Sequence, residues 1–259
     1  LSRIPDLNRR IHDNFFDLGG HSLLATRIVS RLRDAFEVDI PLRAFFDSPT
    51  IAGVADAIAT ARRGRTNTET VGITHVARDG VLPLSHAQER FWVLDQIHTD
   101  QNVFNLPSTF RLIGPLQVGP LRQSVDDLVD RHEILRTTFS SIDGEPRQII
   151  ADKLSVEVPI RECLGLSEAE RAALIREVFL EERGFRFELA QGPLLRVRLL
   201  RFSDDDHCLV LNLHHTIHDA WSLEVVVRDL VALYEAARTG HEPELPALRV
   251  QYADYAHWQ

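Results

Sequence analysis

CLVLNLHHTIHDAWS, residues 208–222, is the stretch on which the fold turns. Cys208 to Leu213 is almost wholly apolar and short, as expected of a strand covered on both faces. A polar turn, Ser203 to Asp206, precedes it. Before that turn Leu195, Val197 and Leu199 alternate with Arg196 and Arg198, the pattern of a half-buried strand. After the paired histidines, Leu223, Val226, Val227, Leu230 and Leu233 recur at helical spacing until Gly240, a helix-ending residue. The histidines therefore lie at a strand end that feeds a helix, where sheet proteins often place active sites.

The same mixture extends towards the N-terminus. Ser85-His86-Ala87-Gln88 is a capping-box pattern opening a helix with Phe91, Trp92 and Leu94. Gly119-Pro120 starts another, carrying Leu121, Val125, Leu128 and Val129. Leu135 to Ser141 and Pro146 to Ile150 read as strands around an Asp143-Gly144 turn. Ser167 to Glu170 is a second capping box, opening a helix that runs to about Arg183. The expected class is α/β, a sheet covered by helices.

Residues 60–72, TARRGRTNTETVG, break every periodicity and read as a linker, placed at 63–72. The segment before it shows no strand. Leu23, Leu24, Ile28, Leu32 and Phe36 share a helical face, and Pro41 to Phe46 reads as a short helical turn. A helix with Ile51, Val54, Ala55 and Ile58 follows, with Ser48 as its cap and Pro49 as its first residue. So small a helical unit suits a carrier or adaptor better than an enzyme.

Composition narrows the function. Of 259 residues, 44% are hydrophobic and 26% charged, ordinary for globular domains, and the net charge of -9 argues against nucleic acid. No apolar run of about 18 residues suggests a membrane span. Cys163 and Cys208 sit among apolar neighbours, as buried free thiols in a reducing, cytoplasmic setting would. The chain starts Leu1-Ser2-Arg3 and lacks Met, so it is expected to be part of a longer polypeptide.

Two places can carry chemistry. Ser22 follows Gly19-Gly20-His21 at the start of a helix, whose unpaired N–H groups favour an anion. It is either a phosphodiester attachment point or a plain helix cap. For His214 and His215 three readings stand. Metal binding is opposed by adjacent strand residues pointing to opposite faces. A structural pair is the second reading. The third is general base catalysis, with one ring facing a cavity and the other buried.

FFDLGGHSLLATRIVSRL (residues 15–32) and FFDSPTIAGVADAI (residues 45–58) resemble the peptidyl carrier domain of nonribosomal peptide synthetases. LHHTIHDAWS resembles the active-site motif of their condensation domains. PLSHAQERFWVLDQ (residues 83–96) and RHEILRTTF (residues 131–139) resemble two further signatures of that family. The resemblance implies a small all-α four-helix carrier bundle at residues 1–62. An α/β half-domain with the chloramphenicol-acetyltransferase-like fold follows at 73–259, the N-terminal lobe of a condensation domain.

It implies 4′-phosphopantetheine on Ser22 and His215 as the catalytic histidine. His214 is its structural neighbour, and Asp219 is a support acting through Arg136 in preference to Arg131. No metal is implied. The implied partners are a phosphopantetheinyl transferase, an upstream adenylation domain and downstream adenylation and carrier domains. The implied activity is amide-bond formation, with this chain alone inactive. An epimerization domain and a non-catalytic recruitment module of the same superfamily are the alternatives. Ala220 stands where the family usually has Gly; as the first residue of a helix it is harmless. Trp221 and Phe91 read as core aromatics.

Overall fold

A computed structural model describes residues 11–36, 38, 40–63, 72–97 and 102–259. The chain divides into two compact units, Leu1–Val71 and Gly72–Gln259.

In the first unit the described helices are α1 (Ser22–Phe36), α2 (Leu42–Asp47) and α3 (Ile51–Arg63). Ala25, Val29 and Phe45 form its buried core, with Phe15, Ile28, Leu42 and Val54 packed against them. A further helix at the chain start, needed for four, falls on residues 1–10, outside the described residues. The α3 cap is not the expected one. Thr50 Oγ1 accepts the Gly53 N–H at 3.0 Å, so Thr50 replaces Ser48 as the cap. Pro49 stays outside the helix, its carbonyl accepting the Phe15 N–H at 2.7 Å. The helix also continues to Arg63, the first residue of the expected linker.

The second unit is built on two sheets. Strands β1 (Leu82–Pro83), β3 (Thr137–Ile142) and β4 (Glu145–Ile150) form a three-stranded sheet, order β1-β4-β3. Strands β2 (Asn105–Ile113), β5 (Ile160–Glu162), β6 (Leu195–Arg201) and β7 (Asp206–His214) form a four-stranded one, order β2-β7-β6-β5. All pairs are antiparallel except β5–β6. The helices are α4 (His86–Ile97), α5 (Val118–Arg131), α6 (Glu168–Gly184), α7 (Ala220–Thr239) and α8 (Tyr252–Trp258).

Every residue of β7 is buried, because both its faces are covered. Leu209, Leu211 and Leu213 join Leu195, Val197 and Leu199 of β6 in a core with Leu121, Val125 and Leu128 of α5 and Val226, Leu230 and Leu233 of α7. Cys208 and Val210 point the other way, to Leu174 and Val178 of α6. Arg196 and Arg198 also face α6, where both meet the buried carboxylate of Glu182. The alternation in β6 thus separates two covered faces.

Two expectations shift locally. Leu135 and Arg136 belong to a 3-10 turn, Glu133–Arg136, so β3 begins at Thr137. Leu135 is buried in the core and Thr137 Oγ1 donates to the Glu133 carbonyl at 2.7 Å, which closes the turn. Asp143 and Gly144 adopt φ of 54° and 83°, as the two-residue hairpin requires. The second difference is β2, which the hydrophobic pattern does not announce. It pairs with β7 from Asn105↔His214 to Ile113↔Asp206. Pro107 is tolerated because β2 is an edge strand.

Candidate functional site

The histidine pair is held from both sides of the sheet. His214 N–H donates to the Leu194 carbonyl at 3.0 Å and His215 N–H to the Phe104 carbonyl at 2.8 Å. The chain then turns, with Ile217 N–H returning to the His214 carbonyl at 3.0 Å.

The two rings have different surroundings. His214 is buried, and its Nδ1 accepts from the Thr216 N–H at 3.2 Å and lies 2.6 Å from Thr216 Oγ1. Burial, helped by neighbouring His215, pulls its pKa down to about 4, so the ring is neutral at pH 7. The rings of Phe104 and Phe187 stand steeply inclined to it, at 67° and 77°, each with its centroid 6.0 Å away. His215 is half-buried. Its Nδ1 lies 2.9 Å from the backbone carbonyl oxygen of His218. A carbonyl can only accept, so Nδ1 carries the hydrogen. In the neutral ring the lone pair is then on Nε2. Phe91 stacks on the same ring, centroids 4.5 Å apart and planes inclined by 26°. Phe91 thus belongs to the site, in contrast to its reading as a core aromatic.

The turn is fixed at its far end. Asp219 caps α7, accepting from the Ser222 N–H and Oγ–H, both at 2.7 Å. Burial raises its carboxyl pKa, but the Ser222 bonds, aided by His218 and His215, outweigh that and hold it below the usual value. Ala220 is the first helical residue, so the site needs no glycine there. His218 is buried, and neither ring nitrogen has a partner among the described residues. Burial takes its pKa down to about 4 against the pull of Asp219.

The expected Asp219–Arg136 pairing is not formed. Arg136 Nη1 donates to the Ala151 carbonyl at 2.6 Å, at the end of the hairpin. Arg131 Nε reaches Asp229 at 3.0 Å, and His132 Nε2 lies 2.9 Å from the same carboxylate. Asp229 is fully buried in α7. The RHEILRTTF signature therefore ties the end of α5 to the helix that follows the histidines, and its arginines do not touch Asp219. Among the described residues no three His, Cys, Asp or Glu side chains are grouped to hold a metal ion.

Ser22 is exposed at the first position of α1. His21 is the capping residue: its carbonyl accepts the Ala25 N–H at 3.0 Å and its Nδ1 the Leu24 N–H at 3.4 Å. The Ser22 hydroxyl, spared that role, makes no hydrogen bond among the described residues. The glycines are sterically required. Gly19 has φ of 91°, and a Cβ on Gly20 would collide with the Phe15 ring. An exposed, unengaged hydroxyl at a helix N-terminus fits a phosphodiester.

Residues 78–259 match the family model "Condensation domain", and residues 2–58 match "Phosphopantetheine attachment site". The chain is 42% identical over 249 residues to a component of the linear gramicidin synthase of Brevibacillus parabrevis. It is 39% identical over 249 residues to tyrocidine synthase 3 of the same organism. These alignments cover 96% of this chain but only 5% and 4% of those proteins. Among solved structures, the X-domain from teicoplanin biosynthesis is 32% identical with a TM-score of 0.63, covering 72% of this chain and 39% of that one. The starter condensation domain of rhizomide synthetase RzmA, 20% identical, shares the fold with a TM-score of 0.62 over 69% of this chain and 43% of its own.

Proposed function

This chain belongs to the condensation-domain family, and on that footing we propose that it serves in a nonribosomal peptide synthetase as a carrier followed by the first lobe of an amide-forming domain. Residues 1–62 are the carrier, a helical bundle of the four-helix kind with the start of the domain missing; residues 63–72 link it to the lobe at 73–259. Exposed Val93 and Ile97 on α4, and Val103, are apolar side chains that a second lobe would cover.

Ser22 would hold 4′-phosphopantetheine. When bound, that group supplies a thiol on which an acyl chain is activated as a thioester. His215 takes a proton from the incoming amine at Nε2, because Nδ1–H is committed to the His218 carbonyl. That hydrogen bond is the observation that carries the reading. His214, neutral and buried, supports the strand end without titrating near pH 7. Asp219 holds the turn that presents the His218 carbonyl. The partners are a phosphopantetheinyl transferase, an upstream adenylation domain, and downstream adenylation and carrier domains. The setting is cytoplasmic, consistent with free buried Cys163 and Cys208.

A recruitment module is the second reading. It is favoured by the 32% likeness to the X-domain, a structure of which is a complex with OxyB.

The test is transfer between two loaded carriers in a protein containing both lobes. His215→Gln should lower the transfer rate about 100-fold or more, as loss of a general base does. An unchanged rate would sink the general-base role of His215, and no transfer in the parent would leave recruitment.

A further inference from the structure

Resting on that reading of His215, we infer that Phe91 is its positioning residue, fixing the ring plane so that Nε2 points in one direction. The imidazole is joined to the backbone through Cβ, and it can turn about both the Cα–Cβ and the Cβ–Cγ bond. The hydrogen bond from Nδ1 to the His218 carbonyl restrains one edge. A single hydrogen bond still allows rocking about its own axis. The Phe91 ring, face to face with the imidazole at 4.5 Å, blocks that motion.

Phe91 is itself held. It sits in the second turn of α4, whose start is closed by a reciprocal capping box: Ser85 N–H donates to Gln88 Oε1 at 2.9 Å and Gln88 N–H to Ser85 Oγ at 3.3 Å. Its other neighbour is Phe104, edge-on with centroids 5.4 Å apart. Phe104 also supplies the carbonyl that accepts the His215 N–H. Backbone and ring of His215 are thus referred to one pair of packed aromatics, which couples α4 to the strand end. A leucine at position 91 would fill similar space but present no flat face.

The test uses the full chain, ¹⁵N-labelled at histidine, with Phe91→Leu and Phe91→Tyr variants and a His215→Gln control to assign the signals. In the parent, the neutral His215 ring should show one tautomer, hydrogen on Nδ1. Phe91→Leu should move its nitrogen signals towards those of a mixture and increase ring mobility, while Phe91→Tyr keeps the parent pattern. In the two-lobed protein Phe91→Leu should slow transfer about tenfold, short of the ~100-fold that a 1 Å misplacement brings. Loading of Ser22 should be unchanged.

A folded Phe91→Leu chain, verified by an otherwise unaltered spectrum, whose His215 signals match the parent would overturn the assignment. If Phe91→Leu does not fold, the tyrosine variant decides, since altered His215 signals there count against a stacking role. Should the parent transfer nothing, the functional reading fails while the ¹⁵N comparison still judges Phe91.

Discussion

The hydrogen bond from His215 Nδ1 to the His218 carbonyl, 2.9 Å long, closes a turn whose next residue, Asp219, caps α7. Capping and tautomer are therefore linked through one short segment. Asp219→Ala should cost about 1 kcal/mol of stability, the usual loss for a helix cap. It should also release the His218 carbonyl, which the His215 ¹⁵N signals would report. Ser222→Ala should do less, because the backbone N–H still reaches Asp219.

Acid should weaken the second unit before carboxylates titrate. His214 and His218 are held neutral by burial, each with a pKa of about 4 against 6.5 for an ordinary histidine. Between those values the unfolded chain binds more protons than the folded one. Stability is thus fully present above about pH 6.5 and falls as pH drops towards 4, by at most about 3 kcal/mol per group. Urea unfolding across this window should show that slope, and His214→Gln should flatten it. A flat profile in the parent would mean that these rings are not buried neutral.

The arginines of RHEILRTTF should behave unequally. Arg131 and His132 share the fully buried Asp229, whereas Arg136 bonds only a carbonyl. Asp229→Ala should destabilise by about 3 kcal/mol, because Arg131, Arg228 and His132 all converge on that buried carboxylate, and Arg131→Ala by about 2 kcal/mol, because Arg228 and His132 still hold it. Arg136→Ala should cost about 1 kcal/mol. Thermal unfolding of the three variants checks the order, and equal losses would refute the assignment.

In the first unit, Thr50→Ala should remove about 1 kcal/mol of helix stability, and Ser48→Ala much less. Circular dichroism melts of both variants give the comparison, and the reverse order would restore Ser48 as the cap.

Much of this is legible in the chain. Elements with strong periodicity or paired caps, such as β7, α6 and α7, announce themselves because burial on a fixed face dictates the residue type. Asp143-Gly144 does so because few other pairs accept positive φ twice. Strand β2 is hidden: Pro107 interrupts it, and its identity comes from pairing with β7, a non-local fact. Tertiary contact also decides the start of α3, where Phe15 engages the Pro49 carbonyl and leaves Thr50 to cap. The Arg136 assignment fails for the same reason: spacing cannot tell which carboxylate an arginine reaches. Phe91 is in plain sight, but nothing in its helix predicts an imidazole against its face.

Modification of Ser22 tests the central claim most directly. The chain would be incubated with coenzyme A, Mg²⁺ and a broad-specificity phosphopantetheinyl transferase, and its intact mass compared with that of Ser22→Ala. The expected result is a gain of one phosphopantetheine group in the parent and none in the variant. No gain in a folded parent, or an equal gain in both, would contradict the carrier assignment.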